Sequence, residues 1–161
     1  MIVRHAIAEE RDSVRWPDDA ERPLTEAGAE RFTSAAHGLA RLVGHVGAVL
    51  SSPAARAWQT AELLELEAGW PAPEPCAALA VGGATDEVPA ALPDRRSVAV
   101  VGHEPQLSEL ASLLLAGDPY AVPIELRKGG AVLLACPGRP APGTAVLRWS
   151  ASPRILRGLA R

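Results

Sequence analysis

The chain has 161 residues, 48% of them hydrophobic and 22% charged, with a net charge of −3. That length suits one domain burying roughly 70% of the surface its unfolded chain exposes. The mild acidity and the lack of any long Lys/Arg run argue against a nucleic-acid surface, and no apolar stretch has the 18 or so residues a membrane helix needs.

No apolar segment at the N-terminus reads as a secretory signal, so a cytoplasmic location is the expectation. Cys76 and Cys136 lie far apart, show no C-x-x-C spacing, and read as free thiols. The four histidines form no H-E-x-x-H or other metal-ligand pattern, so no metal or cofactor is expected.

In chain order, Met1-Ile2-Val3-Arg4-His5-Ala6 opens with a short buried strand that stops at an Arg-His pair. Residues 7 to 24 are polar, carry Pro17 and Pro23, and form a loop. Thr25 caps a helix whose Phe32, Ala36, Leu39 and Val43 share one face, and Gly44 ends it. Val46 to Leu50 is a second buried strand. Ser51-Ser52-Pro53 then predicts a helix start, with Ser52 as N-cap and Pro53 at the first helical position. The helix carries Ala57, Trp58, Ala61 and Leu64 on its way through.

Residues 69 to 85 are rich in Gly, Pro and Ala and read as an irregular excursion, after which Asp86 caps a short helix. Val98 to Val101 is a third strand, ending at Gly102-His103, and Leu107, Leu110, Ala111 and Leu114 mark another helix. A loop over residues 117 to 129 follows. Ala131 to Ala135 and Ala145 to Trp149 form a final hairpin-like pair, and the tail from Ser150 has no evident partner. Strands alternating with helices predict an α/β fold: a single domain over 1–161 with a largely parallel central sheet and helices on both faces.

Three predicted strands end in polar groups: Arg4 and His5, then Ser51, Ser52 and Arg56, then Gly102 and His103. Parallel neighbours would bring these together at the carboxyl ends of the strands, where such sheets bind ligands. Two arginines, two histidines and two helix N-termini there favour an anion, and the planar guanidinium fork suits phosphate oxygens. A neutral imidazole can attack phosphorus. His37 and His45, on a helix face and in a turn, carry no such context.

Arg4-His5-Ala6, Arg22-Pro23-Leu24-Thr25-Glu26-Ala27-Gly28, Ser51 to Thr60 (S-S-P-A-A-R-A-W-Q-T) and Val101-Gly102-His103-Glu104-Pro105 together resemble the histidine phosphatase superfamily, which includes the phosphoglycerate mutases. The short length and the R-P-L-T-x-x-G segment resemble its SixA-type phosphohistidine phosphatases, from residue 1 to about residue 157. The resemblance implies a phosphoglycerate mutase-like fold and a phosphatase without cofactor. His5 would be the transiently phosphorylated nucleophile, and Arg4, Arg56 and His103 would bind the phosphoryl group, with Ser52 and Arg22 as further binding candidates.

Ala6 departs from the family's R-H-G, and the first strand is shorter than usual. Mutases and many phosphatases of the superfamily place a general acid in the excursion, whereas SixA-like proteins lack a firm one; here Asp86 after Gly82-Gly83 is the candidate chosen among Glu65, Glu67, Glu74, Asp86 and Glu87. The implied partner is a phosphohistidine-bearing protein such as a histidine-phosphotransfer domain, with a phosphate-containing ligand, no nucleic acid, no membrane, and a monomeric state. A small-molecule phosphomonoesterase of the same fold and a weakly catalytic phosphoprotein-binding module are the competing readings.

Overall fold

A computed structural model describes residues 1–160. Six strands form one mixed sheet. In chain order they are β1 (Ile2–Arg4), β2 (Ala48–Ser51), β3 (Pro73–Pro75), β4 (Val98–Gly102), β5 (Ala131–Ala135) and β6 (Val146–Ala151). Across the sheet the order is β3-β2-β4-β1-β5-β6. The first four strands run parallel, while β5 and β6 are antiparallel additions beside β1. The three-residue β1 therefore sits inside the sheet between β4 and β5, where both neighbours hold it, rather than at a weak edge.

Five α-helices cover the faces: α1 (Glu26–Val43), α2 (Ala55–Ala68), α3 (Val88–Ala91), α4 (Gln106–Ala116) and α5 (Pro153–Leu159). Successive strand residues point to opposite faces, so Val3, Val49 and Val101 pack with Phe32, Ala36, Leu39, Ala61, Leu64 and Leu156 of α1, α2 and α5. Ile2, Leu50 and Val100 face the other way, onto Leu107, Leu110 and Leu114 of α4 and onto Leu79, Val88 and Leu92. Near-continuous apolar strands are what a sheet covered on both faces requires.

Three local expectations change. Ser52 does not cap α2, whose N-cap is Ala54 with no side-chain cap. The Ser52 N–H pairs with the Val101 carbonyl at 2.9 Å, so sheet pairing runs past Ser51 and the helix starts later. The excursion contains β3, an edge strand where the missing N–H groups of Pro73 and Pro75 are tolerated. The tail is also ordered: β6 runs to Ala151, Ser152 accepts a hydrogen bond from the Ile155 N–H, and Pro153 opens α5. That helix packs on α1 so tightly that a Cβ on Gly38 would collide with the Leu156 carbonyl.

The R-P-L-T-x-x-G segment fixes how α1 enters. Thr25 caps the helix through the Gly28 N–H at 2.9 Å, and the Thr25 N–H bonds to the Ile7 carbonyl at 3.0 Å. A Cβ on Gly28 would fall on that same carbonyl, so only glycine lets α1 begin against the chain that leaves His5.

Candidate active site

The strand ends converge because the backbone stitches them together. The His5 N–H bonds to the Gly102 carbonyl at 3.0 Å, and the Ser52 N–H to that of Val101. His5 and His103 thus stand at the carboxyl ends of adjacent β1 and β4, with ring centroids 5.2 Å apart. They line a cavity of about 390 Å³ together with Arg4, Arg22, Arg56, Lys128, Glu9, Glu10, Arg11, Ala8 and Glu104. A second cavity, of about 400 Å³, opens at the opposite end of the strands and holds neither histidine.

His5 is 6% exposed. Its Nδ1 lies 2.7 Å from the Ala6 carbonyl oxygen. A carbonyl only accepts, so Nδ1 carries the hydrogen and the neutral ring keeps its lone pair on Nε2. Burial, then the nearby His103 and the Arg56 and Arg4 cations, push the pKa of His5 down to about 3 against the opposing hydrogen bond to Ala6. The imidazole is therefore neutral and nucleophilic near pH 7. Ala6 fits where the family has glycine: it is buried, and no non-glycine residue among those described has positive φ, so its methyl meets no backbone strain.

His103 is likewise buried, and burial followed by Arg56 lowers its pKa to about 4. Its Nε2 lies 2.8 Å from Ser52 Oγ, which also accepts the Ala54 N–H at 3.3 Å. Where the Ser52 hydroxyl gives its hydrogen to Nε2, the ring hydrogen sits on Nδ1. Ser52 itself is buried and does not line the cavity, so it acts on His103 rather than on a ligand.

The arginines are fixed by protein acceptors. Arg4 Nη1 donates to the Leu126 carbonyl at 2.8 Å. Arg56, in the first turn of α2, donates from Nη1 to the Asp19 carbonyl at 2.7 Å and pairs through Nη2 with Asp19 Oδ2 at 3.1 Å. Arg22 donates from Nε to Asp19 Oδ1 at 2.8 Å and from Nη1 to the Glu9 carbonyl at 2.7 Å. Asp19 thus clamps two arginines from a 3₁₀ turn (Asp19–Glu21), and the Arg22 hydrogen bond, chiefly, holds its carboxyl below the usual range. Thr60 ties this helix to β1, accepting from the Ala6 N–H at 3.0 Å and donating to the Arg56 carbonyl at 2.6 Å. Gln59 accepts the Leu24 N–H at 2.8 Å. The Q-T pair of the sequence is a brace.

Arg4 Nε, Arg56 Nε and His103 Nδ1 are buried and have no hydrogen-bond partner among the described residues. Buried donors without acceptors are costly. Three of them on residues lining one cationic cavity make a site whose chemistry calls for an anion with several oxygens.

Asp86 is not part of this arrangement. It is exposed in a 3₁₀ turn (Thr85–Glu87) ahead of α3, whose N-cap is Glu87, and it does not line the cavity. Asp19 and Glu104 are the acidic residues that sequence reasoning missed. The i, i+3 spacing of Asp19 and Arg22 was the one local signal for the first.

Two neutral buried histidines make stability depend on pH. Unfolded histidines titrate near 6.5, folded His5 and His103 near 3 and 4, so between these values the unfolded chain binds more protons. Stability is full above about pH 6.5 and falls as pH drops, by up to about 1.4 kcal/mol per histidine per pH unit. Melting temperature measured from pH 7.5 to 4.5 should decline steadily below pH 6.5, and His5→Asn should flatten part of that decline.

Comparison with known proteins fits this geometry. The model of the histidine phosphatase superfamily (branch 1) matches residues 1–80. An uncharacterized protein of Picosynechococcus sp. is 35% identical over 137 residues, 81% of each chain. The structure of the protein histidine phosphatase SixA complexed with tungstate superposes with a TM-score of 0.82 at 26% identity, over 96% of this chain and 97% of that one. A SixA protein of Nakamurella multipartitia gives 0.74 at 28% identity, over 94% and 95%. The phosphatase fold, the Arg-His strand end and the second histidine just past β4 converge on one assignment: the chain belongs to the histidine phosphatase superfamily, in its SixA-like form.

Proposed function

We propose that this phosphatase removes phosphate from phosphohistidine of a partner protein through a phosphorylated His5. The observation that carries the reading is His5 itself, with Nδ1 held by the Ala6 carbonyl beside the unpartnered donors of Arg4, Arg56 and His103. His5 Nε2 attacks phosphorus, a bond forms between them, and the bond to the leaving nitrogen breaks. Water then attacks phospho-His5, releasing inorganic phosphate and regenerating the neutral ring. Arg4, Arg56 and the Nδ1–H of His103 take the charge on the equatorial oxygens, which is where phosphoryl transfer concentrates it. Ser52 and Arg22 support this set through His103 and Asp19.

The SixA likeness and the open, polar cavity support a side chain presented on a protein surface over a small sugar phosphate that would need enclosing. Purified protein should hydrolyse a phosphohistidine peptide with a higher kcat/KM than p-nitrophenyl phosphate or sugar phosphates. Turnover should survive EDTA, since the positive charge the reaction needs is supplied by Arg4, Arg56 and their neighbours. Preference for a sugar phosphate would make the protein a small-molecule phosphomonoesterase, and tight binding without turnover would make it a binding module.

A further inference from the structure

Glu104 is out of place in an anion site. It follows His103 and lines the same cavity as Arg4, His5, Arg56 and Lys128. The other carboxylates nearby are engaged or exposed: Glu9 pairs with Arg15, Asp19 clamps arginines, and Glu10 lies in solvent. Glu104 forms none of the ion pairs among the described residues, despite its cationic surroundings. One oxygen, Oε2, is held by the Ser108 hydroxyl in the first turn of α4. The other, Oε1, is buried and has no partner. An ionised carboxylate here would repel the phosphate that the arginines and Lys128 attract, so it weakens binding unless it carries a proton.

We propose that Glu104 is a catalytic acid, giving its proton to the leaving group as His5 displaces it. The inference rests on the phosphoryl-transfer reading of the same cavity. Burial already raises the Glu104 carboxyl, outweighing the Ser108 hydrogen bond and the Arg4 charge, and an arriving phosphate dianion raises it further. In the first step the P–N bond breaks, its electron pair returns to the imidazole, and the ring takes the proton from Glu104. In the second step the attacking water returns a proton to the Glu104 carboxylate, and the cycle closes. The Ser108 hydroxyl, which also lies 2.9 Å from the Pro105 carbonyl, contacts only Oε2, and Oε1 is left without a hydrogen bond.

The test is a leaving-group series at pH 8, where little of a free imidazole ring is protonated. Glu104→Gln keeps the shape and removes the proton. It should cut turnover of phosphohistidine and of an alkyl phosphate by roughly 10²–10⁴-fold, the usual loss of a positioned acid. Turnover of p-nitrophenyl phosphate, whose nitrophenolate leaves as a stable anion, should change by less than about 3-fold. Inorganic phosphate should inhibit the variant at least as strongly as the parent, which also reports an intact site. Equal losses on all three substrates would assign Glu104 a structural role and overturn the proposal, as would no loss on any. If the parent enzyme ignores phosphohistidine, that substrate reading fails alone, because the alkyl and aryl esters still decide the role of Glu104.

Discussion

His5→Ala should abolish turnover, by about 10⁴-fold or more, and should end acid-labile labelling of the protein by substrate phosphate. No other histidine can substitute. His103 has its Nε2, the nitrogen that His5 offers to phosphorus, engaged with Ser52 Oγ at 2.8 Å. His37 pairs with Glu67 on the surface at 2.9 Å, and His45 is exposed. The fold should persist, because the one hydrogen bond that the His5 side chain makes among the described residues is to Ala6, and its backbone N–H bond to Gly102 does not depend on the side chain. Circular dichroism and melting separate loss of chemistry from loss of structure, and near-normal turnover by a folded variant would rule out His5 as the nucleophile.

The residues legible in the sequence were those that terminate an apolar run. Arg4, His5 and His103 stand at or just past the end of a buried strand, so the hydrophobic pattern placed them at one end of the sheet, while Arg56, inside α2, was legible only through the S-S-P-x-x-R-x-x-Q-T segment that follows β2. What the pattern could not show depends on contacts distant in sequence. Asp19 is one of six acidic residues in the loop before α1 (Glu9, Glu10, Asp12, Asp18, Asp19 and Glu21), and only the arrival of Arg56 from α2 distinguishes it. Asp86 looked well placed because it follows two glycines, yet the excursion is tied down by Gln106 Nε2, which donates to the Ala78 and Gly83 carbonyls. That anchoring leaves Asp86 in solvent. Ser52 was read from a local helix-start signal that sheet pairing with β4 overrides. The α5 signal, Ser152 then Pro153, was present but short, and the helix is stabilised by burying Leu156 against α1 rather than by its own propensity.

Arg56→Ala should lower kcat by about 10³-fold, the lower end of what a single arginine contributes to phosphoryl transfer. The loss should fall more on kcat than on KM, because charge on the phosphoryl oxygens is greatest in the transition state and because Arg4, Arg22 and Lys128 remain to attract the ground-state anion. Arg56→Lys should recover little. The guanidinium spends Nη1 on the Asp19 carbonyl and Nη2 on the Asp19 carboxylate, which aims the rigid plane and leaves Nε uncommitted in the site. A lysine has one ammonium for all three directions, so it can hold Asp19 or reach the phosphoryl group but not both. Asp19→Asn should cost less, roughly 10-fold, since its backbone carbonyl still receives Arg56 and only the charge-assisted contacts weaken. Steady-state kinetics on a phosphohistidine peptide and on p-nitrophenyl phosphate would measure both variants. Arg56 is assigned to the equatorial oxygens and not to the leaving group, so the Arg56 loss should be the same for the two substrates, unlike that at Glu104. A loss confined to KM would mean that Arg56 only gathers the anion and plays no part in the transfer.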